Sequence, residues 1–260
     1  MWAIPYLDVS SGPLYYAVHR SSAPNPVLAV LIHGAGGSHL SWPAALRRLS
    51  PHVTTYLPDL PGHGRSAGPG CSSIEGFADA VLQFCQGLAL KGVVLIGHSM
   101  GGATATVAAL RQPELCRALV LINSAAKFSV PPAILNALGH DHERAVALVC
   151  EYALGPDFPP PLGETTCRML HELPHETLHR DFLACQAFDV TAQLSALQVP
   201  TLIIAASDDL LTPLPNQRLL AEHIPHSRLI VMQRAGHTAM LTHAEQIRCE
   251  ILSFLDLTKY

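Results

Sequence analysis

Charge is scarce in this chain. Only 14% of its 260 residues are Asp, Glu, Lys or Arg, and they sum to a formal charge of −4 at pH 7. No run of lysines or arginines is present, so neither nucleic acid nor an anionic membrane is an expected partner. Cysteines are few and badly spaced for a framework. Cys71, Cys85, Cys116, Cys150, Cys167, Cys185 and Cys249 are odd in number and never fall as CxxC. That argues against zinc and against a disulfide scaffold, and predicts buried thiols in a reducing compartment. No basic stretch precedes Arg20, so no signal peptide is expected and the expected location is cytoplasmic.

One long stretch lacks charge altogether. No Asp, Glu, Lys or Arg lies between Lys91 and Arg111, and Gly97 to Gly101 spells GxxxG, a helix-packing motif of membranes. The polar residues His98, Ser99, Thr104 and Thr106 in its middle, and the β-branched bias of Val93, Val94 and Ile96, fit a buried strand followed by a buried helix better.

What is present is rhythm. Residues 3–8 and 13–20 read as two strands joined through Ser10-Ser11-Gly12-Pro13. Val27 to His33, Val53 to Leu57, Gly92 to Ile96, Ala118 to Asn123, Thr201 to Ala206 and Leu229 to Met232 are further apolar strands. Helices are expected between them: one capped by Ser41 and running through Arg48, and one opened by the capping box Ser72 to Glu75 and ending near Ala89. A last one, opened by Thr242 and Glu245, reaches about Leu255. Alternating strands and helices predict an α/β fold, a mostly parallel central sheet with helices on both faces. Residues 125–195 break the rhythm with Pro131-Pro132, Pro159-Pro160-Pro161 and short amphipathic segments. They are expected to form an inserted helical lid over a core made of 1–124 and 196–260.

Gly97-His98-Ser99-Met100-Gly101 stands between a strand and a small-residue helix, the setting of a nucleophile elbow. The turn is tight enough to exclude side chains at its flanks, and it lifts the Ser99 hydroxyl clear of the sheet. The next amide, on Met100, faces the oxygen of a bound carbonyl. A serine hydroxyl needs a base. Among the fifteen histidines, His237 is best placed, after the last strand and before the last helix. The acid that orients it comes from Asp208 or Asp209, after the strand 201–206. The order Ser, Asp, His follows.

With these residues the chain resembles the α/β-hydrolase superfamily over essentially its whole length. The matches are His33-Gly34, Asp59-Leu60-Pro61-Gly62-His63-Gly64-Arg65-Ser66, the elbow, Asp209 with Pro213, and Gly236-His237. The resemblance favours Asp209 over Asp208 and implies that the Ala35 amide completes the oxyanion hole, with Gly36 as the fallback. It gives His33 a structural role in that loop. It departs at Thr242, where many members carry glutamate. It implies a cofactor-free serine hydrolase, with thioesterases, lactonases, C–C hydrolases, haloperoxidases and hydroxynitrile lyases on the same scaffold. A slow-triad ligand sensor is the reading from a different class.

The function expected is therefore hydrolysis of carboxylic esters with small to medium neutral acyl groups, by a monomer or small homo-oligomer. Gly34, Gly36 and Phe128 are expected against the substrate. His98 is expected to point away from the attacking face and to pack or hydrogen-bond without transferring a proton, and His63 to order the glycine turn. His140 to Glu143, and His171, His175 and His179, lack the spacing of a structural zinc site, and no metal is expected. Arg144, Arg168 and Arg180 are expected on solvated faces, and one of them beside Ser99 would favour a C–C hydrolase.

Overall fold

The computed structural model describes residues 5–66 and 68–257. The chain starts with the hairpin β1 (Tyr6–Val9) and β2 (Gly12–His19), followed by β3 (Val27–Ile32), α1 (Ala44–Arg47), β4 (Val53–Pro58) and α2 (Ile74–Gly87). Residues 3 and 4 of the expected first strand lie outside the described residues. Next come β5 (Val93–His98), α3 (Met100–Arg111) and β6 (Cys116–Ile122). Four helices then intervene, α4 (Pro132–His140), α5 (His142–Ala153), α6 (Pro160–His171) and α7 (His175–Ala187). The chain closes with β7 (Thr201–Ala206), α8 (Leu214–His223), β8 (Ser227–Met232), α9 (Ala239–Thr242) and α10 (Ala244–Phe254).

The eight strands form one sheet in the order β1-β2-β4-β3-β5-β6-β7-β8. β2 runs antiparallel to β4, and every pairing from β4 to β8 is parallel. A parallel strand covered on both faces must be apolar at every position, and alternate side chains then feed two cores. Val30, Ile32, Leu95, Leu119 and Leu121 pack with α2 and α3 on one face. Ala29, Leu31, Val94, Ile96, Val120 and Ile122 pack with α1 and α10 on the other. Helices α4, α5 and α7 bury a third cluster of their own around Ile134, Leu138, Val146 and Leu178. This is the mostly parallel α/β sheet with helices on both faces that the strand rhythm predicted, and it fits the α/β-hydrolase fold that the resemblance implied.

Three helix starts differ from expectation. Ser38, not Ser41, caps the turn that precedes α1, and Ser41 returns the bond by accepting the Ser38 amide at 3.0 Å. Ser73, not Ser72, caps α2, taking the Gly76 amide at 3.2 Å. Thr242 ends α9 instead of opening α10; its hydroxyl meets His243 Nδ1 at 2.8 Å, and α10 starts without a side-chain cap. At α1 and α10 a short preceding turn takes up the residue that the sequence pattern makes the cap, and at α2 the start shifts by one residue.

The elbow requires its glycines for lack of space. A Cβ on Gly97 would stand 2.2 Å from the Gly101 carbonyl oxygen, and one on Gly101 would stand 2.1 Å from that of Ile32. These are backbone atoms that cannot swing aside. Gly101→Ala is therefore expected to lower folding stability by about 3 kcal/mol, the upper part of the range for overpacking. Urea unfolding of the variant against wild type measures it.

Candidate active site

Everything chemical gathers at the carboxyl ends of the parallel strands, where open α/β sheets place their ligands. Ser99 follows β5 with φ 52° and ψ −120°, a strained left-handed conformation for a residue with a side chain. The strain is held by buried bonds: the Ser99 amide donates to the Ile122 carbonyl at 3.0 Å, and Ser124 Oγ donates to the Ser99 carbonyl at 2.8 Å. His237 comes from the loop after β8 and Asp209 from the loop after β7.

The structure brings these three together. His237 Nδ1 lies 3.0 Å from both Asp209 oxygens, and His237 Nε2 lies 2.7 Å from Ser99 Oγ. A carboxylate only accepts, so the hydrogen sits on Nδ1, and Nε2 is left to accept from the serine hydroxyl. All three are buried, at 8% exposure for Ser99, 5% for His237 and 3% for Asp209. Burial pushes the Asp209 carboxyl upward, but the charge and hydrogen bond of His237, with the Thr212 amide and hydroxyl, outweigh that and hold it below its ordinary value. Asp208 is exposed and accepts from the Ser207 hydroxyl.

Sequence reasoning missed the shell around Asp209. Asn123 Nδ2 donates to it at 2.9 Å, the amides of Leu211 and Thr212 at 3.0 and 2.9 Å, and Gln217 Nε2 at 3.1 Å. The carbonyl oxygens of the same two side chains, Asn123 Oδ1 and Gln217 Oε1, are buried with no partner among the described residues. Both amides are turned to give their donors to the carboxylate. The signal was weak: a single Asn ending a strand and a Gln inside a helix look like surface residues in a sequence.

The loop after β3 stands opposite the elbow. His33 Nδ1 donates to the Gly34 carbonyl at 2.9 Å while Nε2 accepts the Leu60 amide at 3.0 Å. Only the neutral ring can do both. Burial, foremost, pushes its pKa down to about 3. Among the described residues no protein acceptor takes the amide of Ala35 or of Met100, whereas the Gly36 amide is already bound to Asp181 Oδ2 at 2.8 Å.

His98 turns away from the serine and donates through Nε2 to the His237 carbonyl at 2.9 Å. Burial first, then the charge of His237, pushes its pKa down to about 3. The unfolded chain binds a proton at this residue below about pH 6.5, whereas the folded chain does not until about pH 3. Stability therefore falls as pH drops through that window, by about 1.4 kcal/mol per pH unit for the one residue. Urea unfolding at pH 7 and pH 5 is expected to show wild type losing about 2 kcal/mol more than His98→Asn.

A cavity of about 380 Å³ opens over Ser99, lined by Gly34, Ala35 and Gly36 on one side and by Phe128, Phe182 and Leu170 from the insert. Gly34, Gly36 and Phe128 thus stand on its wall. Phe188 does not line it and packs on Phe128 with ring centres 6.0 Å apart. Arg144, Arg168 and Arg180 are absent from the wall; the arginine found there is Arg47 from α1.

Two further features concern the insert. Cys150 and Cys167 form a disulfide joining α5 to α6, a pairing that the scattered spacing, read as a poor disulfide framework with most cysteines as buried thiols, did not anticipate. Their spacing of 17 residues carries no motif, and only the packing of α5 against α6 brings them together. Cys85, Cys116 and Cys185 are buried thiols as expected. The two histidine sets also meet: His142 lies against His171 and His175 at ring-centre distances of 6.3 and 5.5 Å. Among the described residues no group of three or more His, Cys, Asp or Glu is disposed to hold a metal ion. Nor is any helix among them long and apolar enough to cross a membrane.

Residues 29–248 match the alpha/beta hydrolase family. The chain belongs to the alpha/beta hydrolase family. Among its relatives is a Pseudomonas savastanoi pv. phaseolicola protein named "Putative carbamate hydrolase RutD", 32% identical, with 94% of this chain and 99% of the relative aligned. A pimeloyl-[acyl-carrier protein] methyl ester esterase of Yersinia pseudotuberculosis serotype IB is 29% identical, over 88% of this chain and 93% of the relative. The crystal structure of the enol-lactonase from Burkholderia xenovorans LB400 superposes with a TM-score of 0.88 at 24% identity, covering 97% of this chain and 100% of that one. At that identity it speaks for the alpha/beta hydrolase fold alone.

Proposed function

We propose that this member of the alpha/beta hydrolase family is a serine hydrolase that cleaves carboxylic esters through an acyl-enzyme. The observation that carries the reading is the unbroken chain of bonds from Asp209 through His237 to Ser99, at 3.0 and 2.7 Å. Ser99 attacks the carbonyl, and His237 Nε2 takes its proton and returns it to the leaving alcohol. Asp209 holds the tautomer and offsets the charge that forms on the imidazole. The oxyanion is received by the amides of Met100 and Ala35, both without an acceptor among the described residues. Gly36, the fallback donor, has its amide engaged elsewhere. Water then repeats the sequence to free the acid. No cofactor enters these steps.

The relatives' printed names, a carbamate hydrolase and a methyl ester esterase, support hydrolysis of an acyl–oxygen or acyl–nitrogen bond as the class. The largely apolar wall favours small to medium neutral acyl groups. The insert, residues 125–195, acts as a lid over a core of 1–124 and 196–260. None of Arg144, Arg168 and Arg180 reaches the cavity, but Arg47 stands on its wall, so an arginine is present to meet a substrate carboxylate and C–C cleavage remains the second reading. The five cysteines that remain thiols fit a cytoplasmic location, whereas the Cys150–Cys167 bridge is of the kind that oxidising compartments favour.

The test is steady-state hydrolysis of p-nitrophenyl esters from acetate to palmitate, paired with fluorophosphonate labelling of Ser99. Turnover that peaks at short or medium chains and labelling at Ser99 are expected. A protein that is folded, unlabelled and inert on the whole series overturns the reading.

A further inference from the structure

The mechanism above leaves one buried carboxylate unused. Asp181, on α7 of the insert, is 1% exposed, and nothing in that mechanism requires a charge there. Its Oδ2 accepts the Gly36 amide at 2.8 Å and lies 2.7 Å from His63 Nε2. One oxygen from the insert therefore binds two separate loops of the core, the one after β3 and the one after β4.

The other end of the pair is equally enclosed. His63 is 1% exposed, and its Nδ1 lies 3.0 Å from the Pro61 carbonyl oxygen. A carbonyl and a carboxylate both only accept, so the surroundings of both ring nitrogens suit the donors of an imidazolium. Burial opposes that charge, but the charge and hydrogen bond of Asp181 outweigh it and raise the pKa of His63 above its ordinary value. A buried ion pair with a further amide bond is directional and costly to break from one side.

The insert also packs directly on the loop. Gly36 adopts φ +63°, and a Cβ there would stand 2.9 to 3.0 Å from Leu170, Leu173 and Leu178. The conformation of Gly36 is thus fixed from one side by the apolar side chains of the insert and from the other by Asp181. Turning the Gly36 amide toward Asp181 leaves the preceding amide, on Ala35, as the free donor of this loop.

We propose that Asp181 is a positioning residue. From the lid, it holds the oxyanion loop in the shape that presents the Ala35 amide to the substrate. This rests on the ester-hydrolase reading above. Assembly of the oxyanion hole is thereby tied to docking of the insert, because the group that sets the loop belongs to the insert and not to the core.

The experiment compares wild type, Asp181→Ala and Asp181→Asn on p-nitrophenyl butyrate, well below the lowest melting temperature of the three. Misplacing one oxyanion donor acts on the transition state, so kcat is expected to fall by about 10–100-fold in Asp181→Ala, somewhat less than outright loss of a donor. KM is expected to stay within about twofold. Asp181→Asn keeps an acceptor for the Gly36 amide and is expected to retain more activity than the alanine variant. The inhibition constant of a trifluoromethyl ketone, which forms a tetrahedral adduct, is expected to rise in step with the loss of kcat/KM. Hydrogen exchange of a peptide spanning residues 34–37 is expected to quicken in both variants.

A role confined to stability predicts a lower melting temperature with kcat and the exchange of residues 34–37 unchanged, and that result overturns the proposal. So does a rise in KM alone. If Asp181→Ala does not fold, Asp181→Asn decides by the same readouts. If wild type neither turns over the ester nor labels at Ser99, the ester-hydrolase reading has failed, and exchange at residues 34–37 alone decides whether Asp181 holds the loop.

Discussion

Replacing Ser99 with alanine is expected to lower kcat on p-nitrophenyl esters by about 10⁶-fold, to the level set by binding and the oxyanion amides alone. The reasoning starts from the attacking atom. Ser99 Oγ is the hydroxyl that meets His237 Nε2 at bonding distance without also giving its proton to a carboxylate. Thr212 Oγ1, the other hydroxyl near that ring, lies 3.3 Å from Nδ1 and bonds to Asp209 at 2.7 Å instead. No second nucleophile is placed to substitute. Folding is expected to survive, because the alanine keeps the Cβ and the Ser99 backbone bonds to Ile122 and Ser124 do not involve the hydroxyl. Circular dichroism and urea unfolding check the fold, and fluorophosphonate labelling should vanish. A variant retaining more than about a hundredth of wild-type kcat would remove Ser99 from the reaction, since no partial role for a nucleophile leaves that much.

Much of this was legible in the sequence because it is written in local patterns. The apolar runs that became β3 to β8 are short and bounded by glycine, proline or polar residues, and burial on both faces leaves no alternative composition for them. The elbow is a five-residue pattern whose glycines are forced by the backbone contacts at Gly97 and Gly101. What stayed hidden depends on docking between segments far apart in the chain. Asp181 reaches Gly36 across 145 residues and His63 across 118, and no periodicity marks it among the acids of α7. The Cys150–Cys167 bridge and the shell of Asn123, Thr212 and Gln217 around Asp209 are hidden for the same reason. Arg47 was hidden differently: on a helix of four residues it has no amphipathic face to indicate where it points.

The choice between the two adjacent acids yields the second large effect. Asp209→Asn is expected to reduce kcat by about 10⁴-fold with KM little changed, whereas Asp208→Asn should stay close to wild type. Charge is part of the reason, since an amide cannot offset the imidazolium that forms in the reaction. The larger part is the donor shell. Asp209 receives hydrogen bonds from Asn123 Nδ2, Gln217 Nε2, the Leu211 and Thr212 amides and the Thr212 hydroxyl, besides His237 Nδ1. An asparagine NH₂ in that shell faces donors in every direction. The arrangement that relieves it most readily flips the His237 tautomer, so that Nε2 carries the hydrogen and can no longer accept from Ser99. Glutamine at Gln217 gives this explanation an independent check. Gln217→Leu removes one donor and the orphaned carbonyl Oε1 together. In the Asp209→Asn background it should return part of the lost kcat, and in the wild-type background it should lower it. The same sign in both backgrounds would show that charge, and not the donor shell, sets the effect.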